Sequence, residues 1–155
     1  MEQKGNGEGK EEGGGNQTLL ENRLIVIDTD VVIDFFGNIV PAAEILSELI
    51  RRGQAVLTSV SVFELYAGIE GRKRLRQIEA LIQHLGVLPL DGIEAAAAGR
   101  IHTQLKMRGE RIGTHDILIA GICMANDLPL YTRNIDHFSK VKGLEIFSRP
   151  ELPKH

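Results

Sequence analysis

From Leu24 onward, unbroken apolar runs alternate with stretches that are apolar on one side only. Leu24-Ile25-Val26-Ile27 is a continuous apolar run closed by Asp28. Such a run reads as a strand buried on both faces, as in a parallel sheet. Residues 41–52 place Ile45, Leu46, Leu49 and Ile50 at helical spacing, with Gly53 as the stop. Residues 55–58 predict a second strand and residues 61–69 a helix. Residues 72–85 form an amphipathic helix with Leu75, Ile78, Leu81, Ile82 and Leu85 on one stripe. A third strand is expected at residues 87–90, and Pro89 confines it to an edge. Asp91 opens a long helix to Met107. Thr114 opens another over residues 115–126, apolar almost all round and therefore buried. Residues 129–132 and 144–147 are the fourth and fifth strands, with a short helix at 136–141 between them. Strands alternating with helices predict an α/β domain, a central parallel five-stranded sheet with helices on both faces.

Ligands of such sheets bind beyond the carboxyl ends of the strands. Asp28-Thr29-Asp30 follows the first strand, Glu64 the second and Arg133-Asn134-Ile135-Asp136 the fourth. Carboxylates brought together repel and raise one another's pKa values. Hard divalent cations relieve that repulsion and are suited to phosphoryl chemistry. Each residue also has a structural reading. Asp28 can accept hydrogen bonds from the turn after its strand, and Asp30 can cap a helix. Ser61-x-x-Glu64 has the form of a capping box. Asp116, two residues after a possible Thr114 cap, is favoured by the helix dipole alone.

Composition narrows the picture. There is no Trp, with only 2 Tyr and 5 Phe, so the core is aliphatic. The net charge of −3 argues against a protein that coats nucleic acid. One cysteine, Cys123 between Ile122 and Met124, excludes a disulfide framework and a cysteine zinc site, and reads as a buried, inert thiol. Residues 1–20 are Gly- and Glu-rich and are expected to be a disordered tail, neither signal peptide nor span. Residues 21–150 form the domain and 151–155 a short tail. With no apolar run of membrane length, a cytoplasmic protein without membrane contact is expected.

Four segments carry a resemblance. Ile25-Val26-Ile27-Asp28-Thr29-Asp30-Val31-Val32-Ile33-Asp34 is similar to the opening motif of PIN domains. Ser59-Val60-Ser61-Val62-Phe63-Glu64-Leu65-Tyr66-Ala67-Gly68 resembles their second motif, and Ile112-Gly113-Thr114-His115-Asp116-Ile117-Leu118-Ile119-Ala120 the third. Leu130-Tyr131-Thr132-Arg133-Asn134-Ile135-Asp136-His137-Phe138 resembles the fourth, followed by the usual ending in Gly143-Leu144-Glu145-Ile146. Each is weak alone; four in order over residues 23–148 are specific. The nearest subgroup is the VapC-like toxins of type II toxin–antitoxin systems.

The resemblance implies a single PIN-like domain and a Mg²⁺- or Mn²⁺-dependent endoribonuclease, with Asp28, Glu64, Asp116 and Asp136 as catalytic acids. Asp28, Asp116, Glu64 and Asn134 would meet the metal, supported by Asp30, Thr29 and Thr132. The family often has Asp where Asn134 stands. Either the Asn134 amide oxygen or Asp136, two residues on, then completes the site. The family's chemistry needs no histidine, so His115 is expected to be exposed or capping. An RNA substrate, a separately encoded antitoxin and a homodimer are implied as partners. Arg72, Lys73, Arg74 and Arg76, at the start of one helix, and Arg133 are expected to contact RNA phosphates. Three other readings stand beside this one: a PIN nuclease of RNA processing, a degenerate PIN domain that only binds RNA or protein, and a haloacid-dehalogenase-like phosphatase. The last needs a Lys and an acidic pair that the residues after Thr132 do not supply.

Overall fold

The computed structural model describes residues 22–149. The expected tails at 1–20 and 151–155 lie outside them. In chain order the elements are β1 (Ile25–Ile27), α1 (Thr29–Phe36), α2 (Ala42–Arg51), β2 (Ala55–Thr58), α3 (Ser59–Ala67), α4 (Gly71–His84), β3 (Gly86–Leu88), α5 (Gly92–Met107), α6 (Thr114–Asn126), β4 (Leu130–Tyr131) and α7 (Ile135–Phe138). The strands run parallel in the order β3-β2-β1-β4. The chain leaves β1 toward β2 and returns to β4 on its other side. Winding therefore reverses at β1, which makes its carboxyl end the switch point where ligands of open α/β sheets bind.

The uninterrupted apolar run of β1 has a direct cause: all three of its residues are buried. Side chains alternate across the pleat. Ile25, Ile27, Ala55, Leu57 and Tyr131 enter one core layer with α1, α2 and α4. Val26, Val56 and Leu130 enter the other with α5 and α6. Helix α3 crosses between them, with Leu65 in the first layer and Val60 in the second. Helices α5 and α6 approach closely: a Cβ on Gly121 would stand 2.6 Å from Ala98 Cβ and 2.7 Å from its backbone N. Only glycine fits there.

Four strands form where five were expected. Segment 144–147 makes a single parallel bridge, Leu130 to Ile146. Strand β4 has only two residues, so a neighbour on its outer edge finds one residue's worth of ladder. Strand β3 lies on the edge and stops before Pro89, as that proline requires. The apolar pattern names no helix between the first strand and Pro41, yet α1 fills it. Its β-branched Val31 and Val32 are poor helix formers, but both are fully buried, and packing overrides propensity. Among the described residues, no helix is long and apolar enough to cross a membrane.

Candidate active site

Asp28 occupies the switch point. It ends β1, precedes α1 as its N-cap, and is 6% exposed. One carboxylate oxygen accepts the Thr29 backbone N–H at 2.8 Å and the other accepts the Thr132 hydroxyl at 2.6 Å. Burial, and next the Asp30 carboxylate, push its pKa up to about 7, against the lowering effect of those two bonds; Asp116 adds to the rise. Two hydrogen bonds do not offset the loss of water around a charge that also faces like charges. Asp30 was expected as a possible cap. It stands instead in the first turn of α1, because the chain leaves extended geometry already at Asp28. Its pKa is also raised, chiefly by burial. Asp30 Oδ2 accepts the Arg133 backbone N–H at 3.1 Å, and Oδ1 is buried with no partner among the described residues.

Glu64 does not act in a capping box. Strand β2 ends one residue before α3, so Thr58 is the N-cap and its hydroxyl takes the Ser61 N–H at 3.0 Å. Glu64 is thereby freed in the second turn. Its Oε1 accepts the Thr29 hydroxyl at 2.9 Å, and Oε2 lies 3.5 Å from His115 Nδ1. Asp116 enters from the first turn of α6, whose N-cap is Gly113 and not the expected Thr114; the Gly113 side offers no capping side chain. Asp116 Oδ2 lies 3.4 Å from Asn134 Nδ2 and 3.2 Å from His137 Nδ1. Asn134 is itself tied back by its N–H to the Thr132 hydroxyl at 2.9 Å.

Asp28, Thr29, Asp30, Glu64, Asp116, Thr132 and Asn134 thus share one network at the carboxyl end of the sheet. Asp136 is outside it: it is exposed on α7, and only its backbone carbonyl is engaged, by Ser139 Oγ at 3.2 Å. Sequence reasoning overlooked His137. The available signal was its spacing, one helical turn after Asn134, with the two side chains 2.8 Å apart. His115 is exposed as expected and also faces Glu64, with its ring edge-on to Phe63. Cys123 is buried, its thiol pushed up to about 12 mainly by burial, which fits an inert role.

The five cations expected at RNA divide. Arg72, Lys73 and Arg76 are exposed on α4. Arg74 is half-buried with its guanidinium 4.9 Å from the Phe36 ring centroid. Arg133 turns toward its own chain, its Nε 3.1 Å from buried Asp34 and 3.9 Å from Asp30.

In donor chemistry the cluster suits a hard divalent cation: it offers carboxylate and amide oxygens, two carboxyl groups with raised pKa, and one buried oxygen without a partner. Among the described residues no three His, Cys, Asp or Glu side chains are grouped tightly enough to hold an ion as they stand. Within the cluster Glu64 accepts the Thr29 hydroxyl, and His137 stands beside Asp116.

The chain is similar to known proteins in sequence and in fold. The chain is 30% identical over 122 residues to Ribonuclease VapC10 of Mycobacterium tuberculosis, covering 79% of this chain and 91% of that one. It is 29% identical over 123 residues to the tRNA(fMet)-specific endonuclease VapC of Shigella flexneri, covering 77% and 92%. In fold it matches the DNA-bound VapBC structure from Salmonella typhimurium with a TM-score of 0.72 at 24% identity, over 81% of this chain and 97% of that chain. The family model of the PIN domain matches residues 25–144, from the first residue of β1 to just past α7. The four motif segments, the parallel sheet and the carboxylate cluster all fall within that match: this chain belongs to the PIN domain family.

Proposed function

We propose that this protein is an endoribonuclease dependent on Mg²⁺ or Mn²⁺, acting as the toxin of a toxin–antitoxin pair. The observation that carries the reading is the gathering of Asp28, Asp30, Glu64, Asp116 and Asn134 at the switch point of the sheet, in a chain similar to VapC ribonucleases. Asp28, Asp116, Glu64 and Asn134 would hold the cation. When bound, such an ion lowers the pKa of water and polarises phosphoryl oxygens. The chain's own part is to position. Thr132 holds one oxygen of Asp28 and the backbone of Asn134, so β1 and β4 are locked together at the site. Thr29 orients Glu64 across from α1 to α3. Partners of this kind fix the rotamers on which metal affinity depends. Asn134, on Asp116, fits the fourth ligand position better than exposed Asp136.

Arg72, Lys73 and Arg76 supply a local positive field that recruits RNA to a net negative chain. Exposed Ile33, Phe63 and Tyr66, on α1 and α3, offer the antitoxin an apolar surface beside the site. A homodimer belongs to the same reading, from the class of relatives. The test is direct. The purified chain, freed of any partner, should cleave tRNA or ribosomal RNA with Mg²⁺ or Mn²⁺ and stop when EDTA is added. Absence of cleavage of both RNAs with both ions overturns the reading.

A further inference from the structure

We propose that His137 is a metal-binding residue: with Asp116 and Asn134 it forms a three-donor face, and its imidazole nitrogen makes the centre take Mn²⁺ in preference to Mg²⁺. The assignment rests on the metal-dependent nuclease reading above and names the ion for which the centre is built.

The three side chains come from two places in the chain. Asp116 stands in the first turn of α6. Asn134 is the N-cap of α7 and His137 follows it by one helical turn. Their polar atoms form a closed triangle. Asp116 Oδ2 lies 3.4 Å from Asn134 Nδ2 and 3.2 Å from His137 Nδ1, and the last two are 2.8 Å apart. Donors held on one divalent ion at about 2.1 Å stand roughly 3.0–3.5 Å from one another. The triangle is close to that size. Its third member is an amide, so it does not conflict with the lack of a tight group of three His, Cys, Asp or Glu side chains among the described residues.

Hydrogen bonding alone does not satisfy the triangle. Each bond needs one donor and one acceptor, and three groups in mutual contact cannot all alternate the two roles. The carboxylate only accepts. With the Asn134 amide donating to it, His137 Nδ1 meets a like partner in either tautomer: as a donor it faces the amide N–H, as an acceptor it faces the carboxylate. A half-turn of the amide puts Oδ1 in place of Nδ2 and moves the conflict onto Asp116. A cation removes the conflict, because the carboxylate oxygen, the amide oxygen and the imidazole nitrogen then all present lone pairs to it.

The fold holds this face in place. Asn134 donates its backbone N–H to the Thr132 hydroxyl, which itself bonds Asp28, so the face adjoins the other carboxylates of the site. Phe138, next to His137, is fully buried and anchors α7. The side chains of Asp116 and His137 are 22% and 46% exposed, so a hydrated ion reaches them from solvent. The donor set then selects the ion. Mg²⁺ keeps to oxygen ligands in near-ideal octahedral geometry, whereas imidazole raises affinity for first-row transition ions. The oxygens of Asp116 and Asn134 serve both ions; the nitrogen of His137 favours Mn²⁺.

The test uses the full chain freed of metal. Mn²⁺ and Mg²⁺ are titrated by calorimetry, and the Mn²⁺ form is examined by pulsed EPR, which detects a nitrogen bound directly to the ion. The parent should bind Mn²⁺ more tightly than Mg²⁺ and show the nitrogen coupling. His137→Ala should lose the coupling and weaken Mn²⁺ binding by ~10–100-fold, the scale for removing even an outer partner of a metal site, while Mg²⁺ affinity changes little. His137→Asn keeps an oxygen donor and should bind both ions without the preference or the coupling. His115→Ala, which removes the imidazole beside Glu64, should keep the coupling. If His137→Ala does not fold, His137→Asn decides by the same two readouts. A parent without preference for Mn²⁺ or without coupling, coupling that persists in His137→Ala, or an equal loss for both ions overturns the assignment. Cleavage of RNA by the parent with either ion then leaves the nuclease reading in place. A parent that binds neither ion and cleaves no RNA overturns both proposals.

Discussion

Two hollows at opposite ends of the sheet treat their charges differently. The larger, about 700 Å³, lies at the amino ends of the strands and is lined by Arg23, Glu48, Gln54, Glu145 and Arg149, among others. Its charges are matched within the chain: Arg23 to Glu145 at 2.7 Å and Arg149 to Glu48 at 3.6 Å, while Gln54 donates to the Arg23 carbonyl at 3.0 Å. The smaller cleft, about 240 Å³, adjoins the carboxyl ends. Arg74, whose Nη1 has no partner among the described residues, lines it; at the same end of the sheet, outside that lining, Asp30 Oδ1 has no partner among the described residues and Asp28 is pushed up to about 7 by burial and by its neighbours. Size selects the first hollow. Unmatched polar groups mark the second end, and such groups gather where a ligand completes them.

The comparison predicts opposite signs for removing a charge at the two ends. The largest effect belongs to Asp28→Asn. Cleavage should fall by more than about 100-fold, since even the partners of metal ligands are worth 10–100-fold. The same variant should be the more stable protein without metal. The Asp28 carboxyl is easier to ionise unfolded than folded, so its own contribution to metal-free stability is largest below about pH 4 and is lost as pH rises to about 7. Thermal melts in EDTA should show it as the difference between Asp28→Asn and the parent, which grows by on the order of 2–4 kcal/mol from about pH 4 to about pH 7. A variant that is inactive and also less stable at pH 8 would break the comparison.

Next is Thr132→Val, which keeps the shape and removes the 2.6 Å bond to Asp28 and the bond from Asn134. Loss of cleavage by ~10–100-fold, with weakened Mn²⁺ binding by calorimetry, is expected for a partner that orients a ligand. Unchanged Mn²⁺ affinity would reduce Thr132 to a structural tie between β1 and β4.

At the other end, Arg23→Ala removes the Glu145 pair and the 2.6 Å bond to the Asp127 carbonyl. Stability should drop by roughly 1 kcal/mol, read by urea unfolding, with cleavage unchanged. A loss of activity there would show the large hollow to be functional after all. The smallest effect is Arg52→Ala, which breaks the exposed 2.7 Å pair with Glu48 one turn before it. A loss of about 0.3–0.5 kcal/mol is expected for such a helical pair, again with no change in cleavage.

The site was legible in part. Asp28 stood out because a carboxylate closing a fully apolar run is costly to keep there, whereas Asp116 read locally as a helix-dipole residue and entered the site only through the resemblance of its motif. The capping reading of Glu64 fails for a specific reason. Ser61-x-x-Glu64 spells a capping box, but α3 begins at Ser59, so Thr58 takes the cap and Glu64 turns to Thr29. The basic run gave no hint that Arg74 would part from its neighbours, because Phe36 is 38 positions away along the chain. Arg133 likewise pairs with Asp34 across 99 positions.

Local periodicity by itself determined the alternation of strands and helices, the burial of β1 and α6, the edge position of β3 and the order of the acidic motifs. These are properties of neighbouring residues, and the hydrophobic effect reads them at a range of a few positions. Tertiary structure alone decided that β4 is too short to support a fifth strand, that α1 is a helix, and which hydroxyl, amide or imidazole stands beside each carboxylate. Those outcomes depend on pairing between residues distant in sequence, where register and close approach, not residue type, set which groups meet.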